Sequence, residues 1–253
     1  MLRSVVAIAV LMLLIYWQGG SLRLKNKTDY AVALLLGLFL ASHWVTYFHS
    51  MQISTIAVGV ISLYTFPIIT VFLEPFFHGE KIHLKDVLSA LAVLFGIYLL
   101  VPEFSLDNQN TQGLLWGIFS ALLFALRNIV QRRYFAHYSA KHSLFYQVLV
   151  TFIVLLPFSY AVVPGVSSFQ WGQLGVLGIF FTALPHTLFS YSLLHFKAKT
   201  AGLVACLQVV YATSFAALLL GEFPEISTVI GGLIVVAAAM FETITTGRTR
   251  EKS

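Results

Sequence analysis

The chain has 253 residues, of which 58% are hydrophobic and 10% charged, with a mean hydropathy of +0.87 and a formal charge of +5. A water-soluble domain is about 25% charged and cannot hide this much apolar surface, so the composition excludes a soluble globular protein. It also gives no basic face or motif for nucleic acid, because the Lys and Arg residues fall in short clusters between long apolar runs.

A transmembrane helix needs about 20 mostly apolar residues. In chain order, such runs predict nine spans: Leu2–Trp17, Tyr30–His49, Ile53–Phe76, Val87–Val101, Gly113–Val130, Leu144–Val163, Leu174–Leu194, Ala201–Leu220 and Ile226–Thr245. The first could also be read as a signal peptide, but no small-residue cleavage site follows Trp17. Irregular backbone cannot face lipid and membrane strands alternate in polarity, so each run is expected as a helix. The single cysteine, Cys206, excludes an internal disulfide framework or a cysteine-based metal cluster.

Loop charges orient the spans. Arg23, Lys25 and Lys27 follow the first; Lys81 and Lys85 the third; Arg132, Arg133 and Lys141 the fifth; Lys197 and Lys199 the seventh; and Arg248, Arg250 and Lys252 the ninth. The intervening loops are uncharged or acidic, with Glu103 and Asp107 in one and Glu222 and Glu225 in another. The basic loops and the C-terminus are therefore expected in the cytoplasm, with the chain multi-pass in a bacterial inner membrane.

An internal repeat runs through this pattern. Phe77-His78-Gly79-Glu80 recurs as Leu219-Leu220-Gly221-Glu222, each closing an apolar helix ahead of a glycine-bearing span. The two copies fall on opposite sides of the membrane, which is the inverted topology of secondary transporters. Residues 1–106 form a first repeat of four spans, 107–247 a second of five, and 248–253 a basic tail. Inversion requires an odd number of spans per copy, so an opening helix is expected to be missing before Arg3, either lost by choice of start site or absent in a nine-helix variant.

Tyr47-Phe48, Ser54, Ala57 and Pro67 ahead of Gly79-Glu80, with the second copy ending in Leu220-Gly221-Glu222, resemble the drug/metabolite transporter superfamily, specifically its EamA-type members. Val209 stands where a proline would parallel Pro67. The resemblance implies an all-α bundle of two inverted repeats that exports metabolites or amino acids.

Polar residues at membrane depth mark the candidate pathway. His43 and Tyr47, and Trp44 and Phe48, are each four apart and share a helical face. Pro185-His186 and Ser190 hold the corresponding place in the second copy, and Tyr64, Thr65, Gln208 and Tyr211 are further candidates. Each has a plainer explanation in helix–helix contact, a backbone-bonded histidine or interfacial aromatics. Pro67 and Pro185 are candidate hinges, with a static bend as the alternative. Gly79, Glu80, Gly221 and Glu222 read as structural. Arg127 reads as a snorkelling side chain before a carboxylate clamp, and Glu74 and Glu242 as solvated helix ends before proton couplers. Gly113 and Gly117, and Gly172, Gly175 and Gly178, predict close helix approach.

The function expected is secondary-active export, by alternating access, of a small organic metabolite such as an amino acid. The partners are lipid and that solute, without a cofactor, metal or nucleic acid, and a homodimer is possible. No GxxxxGK[ST] loop occurs, so the chain does not itself hydrolyse ATP. One alternative is a non-transporting scaffold. The other is a membrane metalloenzyme built on His78, His83, His137 and His142, which lack the adjacent histidines such boxes carry.

Overall fold

The computed structural model describes residues 2–78, 82, 84–100, 105–159, 165–185, 188 and 208–250. The described residues form helices α1 Leu2–Trp17, α2 Lys27–Ile53, α3 Ile56–Leu63, α4 Phe66–His78, α5 Leu84–Leu100, α6 Gln109–Tyr134, α7 Ala140–Ser159, α8 Ser168–Gly178, α9 Gln208–Leu220 and α10 Ile226–Arg250. Strands are absent among them, as a membrane-embedded backbone requires when every peptide group must be satisfied within its own segment. α2, α6 and α7 are each long and apolar enough to cross a membrane within their described lengths. Large apolar side chains stand exposed along α5, among them Leu88, Leu91, Leu94 and Phe95, where water would penalise them and lipid does not.

The helices form two compact units, residues 1–41 with 130–195 and residues 42–129 with 196–253. In the first unit, α1 buries Ser4, Ala7, Leu11 and Ile15, one stripe at helical spacing. It packs on α7, on α8 and on the π-helical turn Ile179–Ala183 that continues α8. A Cβ at Gly178 would meet the Arg3 carbonyl oxygen at 2.7 Å, so the absent side chain lets α1 come close. Among the described residues, nothing lies within 4 Å of a Cβ at Gly172 or Gly175, whereas Gly178 serves as a packing notch.

The π turn stands immediately before Pro185. A proline ring clashes with the carbonyl four residues back and offers no N–H to it, and widening the preceding turn relieves that conflict. The Leu184 N–H accordingly reaches back five residues to the Ile179 carbonyl.

A polar clasp ties the loop after α1 to the loop before α7. Tyr138 donates to the Asp29 carboxylate at 2.8 Å and accepts from the Lys25 N–H at 2.6 Å. His137 Nε2 lies 3.7 Å from the same carboxylate, and His142 bonds the Ser21 carbonyl. These two histidines, weighed above as metal ligands, are engaged in loop packing.

In the second unit, α10 packs along α5 and also meets α3 and α4. Its core joins Ala57, Val58, Val60, Ile61 and Tyr64 to Val93, Leu114, Val209, Val235, Ala238 and Ala239. Gly113 and Gly117 of α6 behave as their spacing predicts. A Cβ at Gly113 would collide with Ser54 Oγ, and one at Gly117 would meet Ser62 Cβ at 2.5 Å. Ser50 Oγ uses the proximity to donate to the Gly113 carbonyl at 2.6 Å.

The third predicted span is two helices. α3 ends at Leu63 and α4 begins at Phe66, with Tyr64 and Thr65 in a turn between them. Pro67 causes the break locally: it has no N–H to continue the α3 ladder, and it sits in the first turn of α4, where that N–H would have no helical partner. The residues before it close α3 with tighter bonds, Tyr64 N–H to the Ile61 carbonyl at 3.0 Å and Thr65 N–H to the Ser62 carbonyl at 3.2 Å.

Candidate substrate site

The broken helix faces a cluster of polar and aromatic side chains, all within the second unit. His43 of α2 is buried, and its Nδ1 lies 2.7 Å from Ser120 Oγ and 3.2 Å from the Ser120 carbonyl oxygen. A carbonyl can only accept, so Nδ1 carries a proton and donates it to Ser120. Ser120 completes the exchange by donating its hydroxyl to the His43 carbonyl at 3.0 Å. The backbone contact weighed for a lone histidine is therefore present.

The Tyr47 ring lies stacked with His43, centroids 5.9 Å apart and planes within 14°, as their i, i+4 spacing predicts. Phe124 of α6 approaches His43 at 4.9 Å and meets Phe66, at the start of α4, edge-on at 5.0 Å. From the break itself, the Tyr64 hydroxyl donates to Gln208 Oε1 of α9 at 3.3 Å, a contact across 144 residues. Trp44 is buried on the neighbouring face of α2.

His43, Tyr47, Tyr64 and Gln208 are thus candidate residues that the fold places in polar or ring contact. Tyr211, one turn beyond Gln208, is exposed. His186, Ser190, Gly79 and Glu80 lie outside the described residues, as do the side chains of Glu74 and Glu242.

Three members of the cluster were not foreseen as site residues: Ser120, Phe124 and Phe66. Ser120, Phe124 and Arg127 occupy positions i, i+4 and i+7 of one face of α6, a polar-aromatic stripe that the spacing contained. Arg127 corrects the sequence reading. It is 9% exposed, with its guanidinium carbon 5.6 Å from the Phe124 centroid and NH1 donating to Asn128 Oδ1 at 3.1 Å. A snorkelling arginine would extend its head group out of the protein, and this one is held inside.

Gly221 and Glu222 have a definite task in the same unit. Gly221 closes α9 with φ +71°, a left-handed conformation that L side chains disfavour. The turn aims Glu222, whose Oε2 accepts from the Ile56 N–H at 3.0 Å. A carboxylate therefore caps the first turn of α3, beside the Thr55 hydroxyl that accepts from Val58. The second copy of the repeat motif caps a helix of the first.

The family model described as EamA-like transporter family matches residues 1–101 and 111–243. Among curated relatives, the S-adenosylmethionine uptake transporter of Rickettsia prowazekii (strain Madrid E) is 26% identical over 93% of this chain and 78% of its own length. The pseudopaline exporter CntI of Pseudomonas aeruginosa (strain UCBPP-PA14) is 23% identical over 94% of this chain and 82% of its own. A solved crystal structure superposes with a TM-score of 0.67 at 20% identity, covering 96% of this chain and 86% of that one, and so shares the fold. With the apolar helices described above, these matches place the chain in the EamA-like transporter family, within the drug/metabolite transporter superfamily, as an all-α, multi-pass membrane transporter of a small molecule and not an enzyme.

Proposed function

We propose that the chain exports a small organic metabolite of the amino-acid class by secondary-active alternating access. Its substrate site is built on His43, Trp44, Tyr47, Tyr64 and Gln208, with His186, Ser190 and Tyr211 as its further candidates. The observation that carries this reading is the interruption between α3 and α4. Irregular backbone at membrane depth persists where it lines a solute path, and discontinuous helices form the sites of many transporters. Here the interruption presents Tyr64, whose hydroxyl engages Gln208. Rings on α2, α4 and α6 offer faces to the apolar part of a solute. Pro67 and Pro185 supply the hinges.

The likeness to the pseudopaline exporter supports outward movement, and the similar likeness to S-adenosylmethionine uptake transporters makes inward movement the second reading. The basic loops support a cytoplasmic C-terminus in a bacterial inner membrane. The purified chain in proteoliposomes loaded with unlabelled amino acids or S-adenosylmethionine is expected to accumulate the labelled compound by counterflow. Accumulation should fall at least about tenfold on Tyr64→Ala, which removes a contact of the order that charged or polar ligand groups use. Counterflow at the level of empty vesicles, for every compound, would remove the transport reading.

A further inference from the structure

We propose that a cavity between α3, α9 and α10 is a second binding site, which takes a small lipophilic molecule carrying one hydrogen-bonding group, such as an alcohol. The inference goes beyond the transport reading above and stands without it.

The cavity lies within the second unit and has a volume of about 330 Å³. That is the lower end of the range for small-molecule sites, about 300–1,000 Å³. Ala57 and Ile61 of α3, Thr213 and Ala217 of α9, and Thr228 and Gly232 of α10 are among its lining residues. Close contacts hold the elements around it. At one end, Glu222 accepts from the Ile56 N–H, next to Ala57. At the other, Tyr64 donates to Gln208, next to the lining residue Val209. A Cβ at Gly232 would meet Ile61 Cδ1 at 2.6 Å, so α10 and α3 already touch there. The space is therefore left by small side chains inside a tied framework, and not by loose packing of the helices.

The lining is apolar apart from a few hydroxyls, and one of these is an orphan. Thr213 Oγ1 is buried and has no hydrogen-bond partner among the described residues. Other helical threonines of this chain donate back to their own helix: Thr46 to the Ser42 carbonyl, Thr70 to Phe66 and Thr151 to Gln147, each at 2.8 Å. Thr213 forgoes that bond, and an unpaired hydroxyl away from water is costly unless something else satisfies it. A hydroxyl both donates and accepts, so the hydroxyl of a bound alcohol suits it.

The way in is from the bilayer. Val210, Val229 and Leu233 line the cavity and are also exposed, where the surface of a membrane helix meets lipid. A lipid acyl chain could enter by the same path. Thr213, however, lies about two turns inside the end of α9 at Leu220, where such a chain has only methylenes to offer and would leave the hydroxyl unpaired. An alcohol fills the apolar space and pairs the hydroxyl.

The test uses the full chain in vesicles of phosphatidylethanolamine and phosphatidylglycerol. It is photolabelled with octanol bearing a diazirine, or with the matching diazirine-bearing octane, and adducts are located by peptide mass spectrometry. The alcohol is expected to label residues 209–236 saturably and to be displaced by unlabelled octanol. Thr213→Val keeps the side-chain shape without the hydroxyl. It should raise the octanol concentration for half-displacement by about threefold to tenfold, the range of one hydrogen bond, and leave octane labelling unchanged. Ala217→Phe should fill the cavity and abolish labelling of this stretch by both probes; if that variant is not recovered folded, Thr213→Val decides alone. Labelling that does not saturate, or half-displacement by octanol that is the same in wild type and Thr213→Val, would overturn the inference and leave the cavity to lipid chains. None of these readouts depends on counterflow, so failure of the transport reading would be seen separately.

Discussion

His43 shows what a single residue contributes before any substrate is considered. Its Nδ1–H has two acceptors on Ser120, and the Ser120 hydroxyl returns a bond to the α2 backbone, so α2 and α6 are fastened by a closed exchange. Truncating the ring leaves a buried hydroxyl short of a partner, and His43→Ala should lower unfolding stability by about 1–3 kcal/mol. His43→Asn restores a donor near Nδ1 and should recover part of that loss, read as the midpoint of denaturant unfolding in detergent. If both variants unfold with the wild type, the exchange is not stabilising. Tyr64 and Gln208 test a weaker bond at 3.3 Å: a double-mutant cycle with Tyr64→Phe and Gln208→Leu should give a coupling of about 0.6 kcal/mol, the average for polar contacts between membrane helices. The spacing of His43 and Tyr47 made their stacking legible, because both lie on one helix. Phe124 and Ser120 were not legible as site residues, since their roles depend on which helix faces α6, and no local periodicity encodes that.

At the scale of elements, hydropathy located the apolar runs but could not report where the helical bonding tightens into a turn, as it does at Tyr64 and Thr65. Ile53–Phe76 reads as one span because every residue at the break is compatible with a membrane interior, Tyr64 and Thr65 included. Pro67 was visible as a hinge or bend, and the structure makes it a two-residue turn at Tyr64 and Thr65 because the proline sits in the first turn of the next helix. Pro67→Ala supplies the missing N–H, and should lengthen the continuous ladder and slow counterflow by several-fold if the interruption has to flex. Unchanged transport would make the break a static bend. The Gly-Glu motif was legible as a helix end and not as a cap for another helix. Gly221→Ala forces a side chain into a left-handed turn at a cost of about 1–2 kcal/mol. Glu222→Ala removes the acceptor for Ile56 and should cost about 0.5–2 kcal/mol, while Glu222→Gln keeps an acceptor oxygen and should cost less. Thermal unfolding in detergent distinguishes the two, and equal losses would show that the charge matters more than the hydrogen bond.

For the whole molecule, the compact units do not follow the halves of the sequence. Each unit draws on residues before and after the chain midpoint, and α2 and α6 each contribute to both. A sequence repeat read along the chain therefore says little about which helices share a core. The repeat does make a claim about sidedness that the charge pattern makes independently. Both require the loops after α1 and before α7 to face one side, and the loops before α6 and before α10 to face the other. The chain has one cysteine, so Cys206→Ser gives a background for single-cysteine labelling. In intact cells, a membrane-impermeant maleimide should label Ser105→Cys and Glu225→Cys, and should reach Arg23→Cys and Ser139→Cys only after the membrane is opened. Ser105 and Glu225 are exposed in loops, and so are Arg23 and Ser139 at least in part, so access to the reagent is set by the bilayer and not by packing. Labelling of Ser139→Cys and Glu225→Cys from the same side would contradict the inversion. The two copies would then share an orientation, and the proposed rocking of one against the other would fail with it.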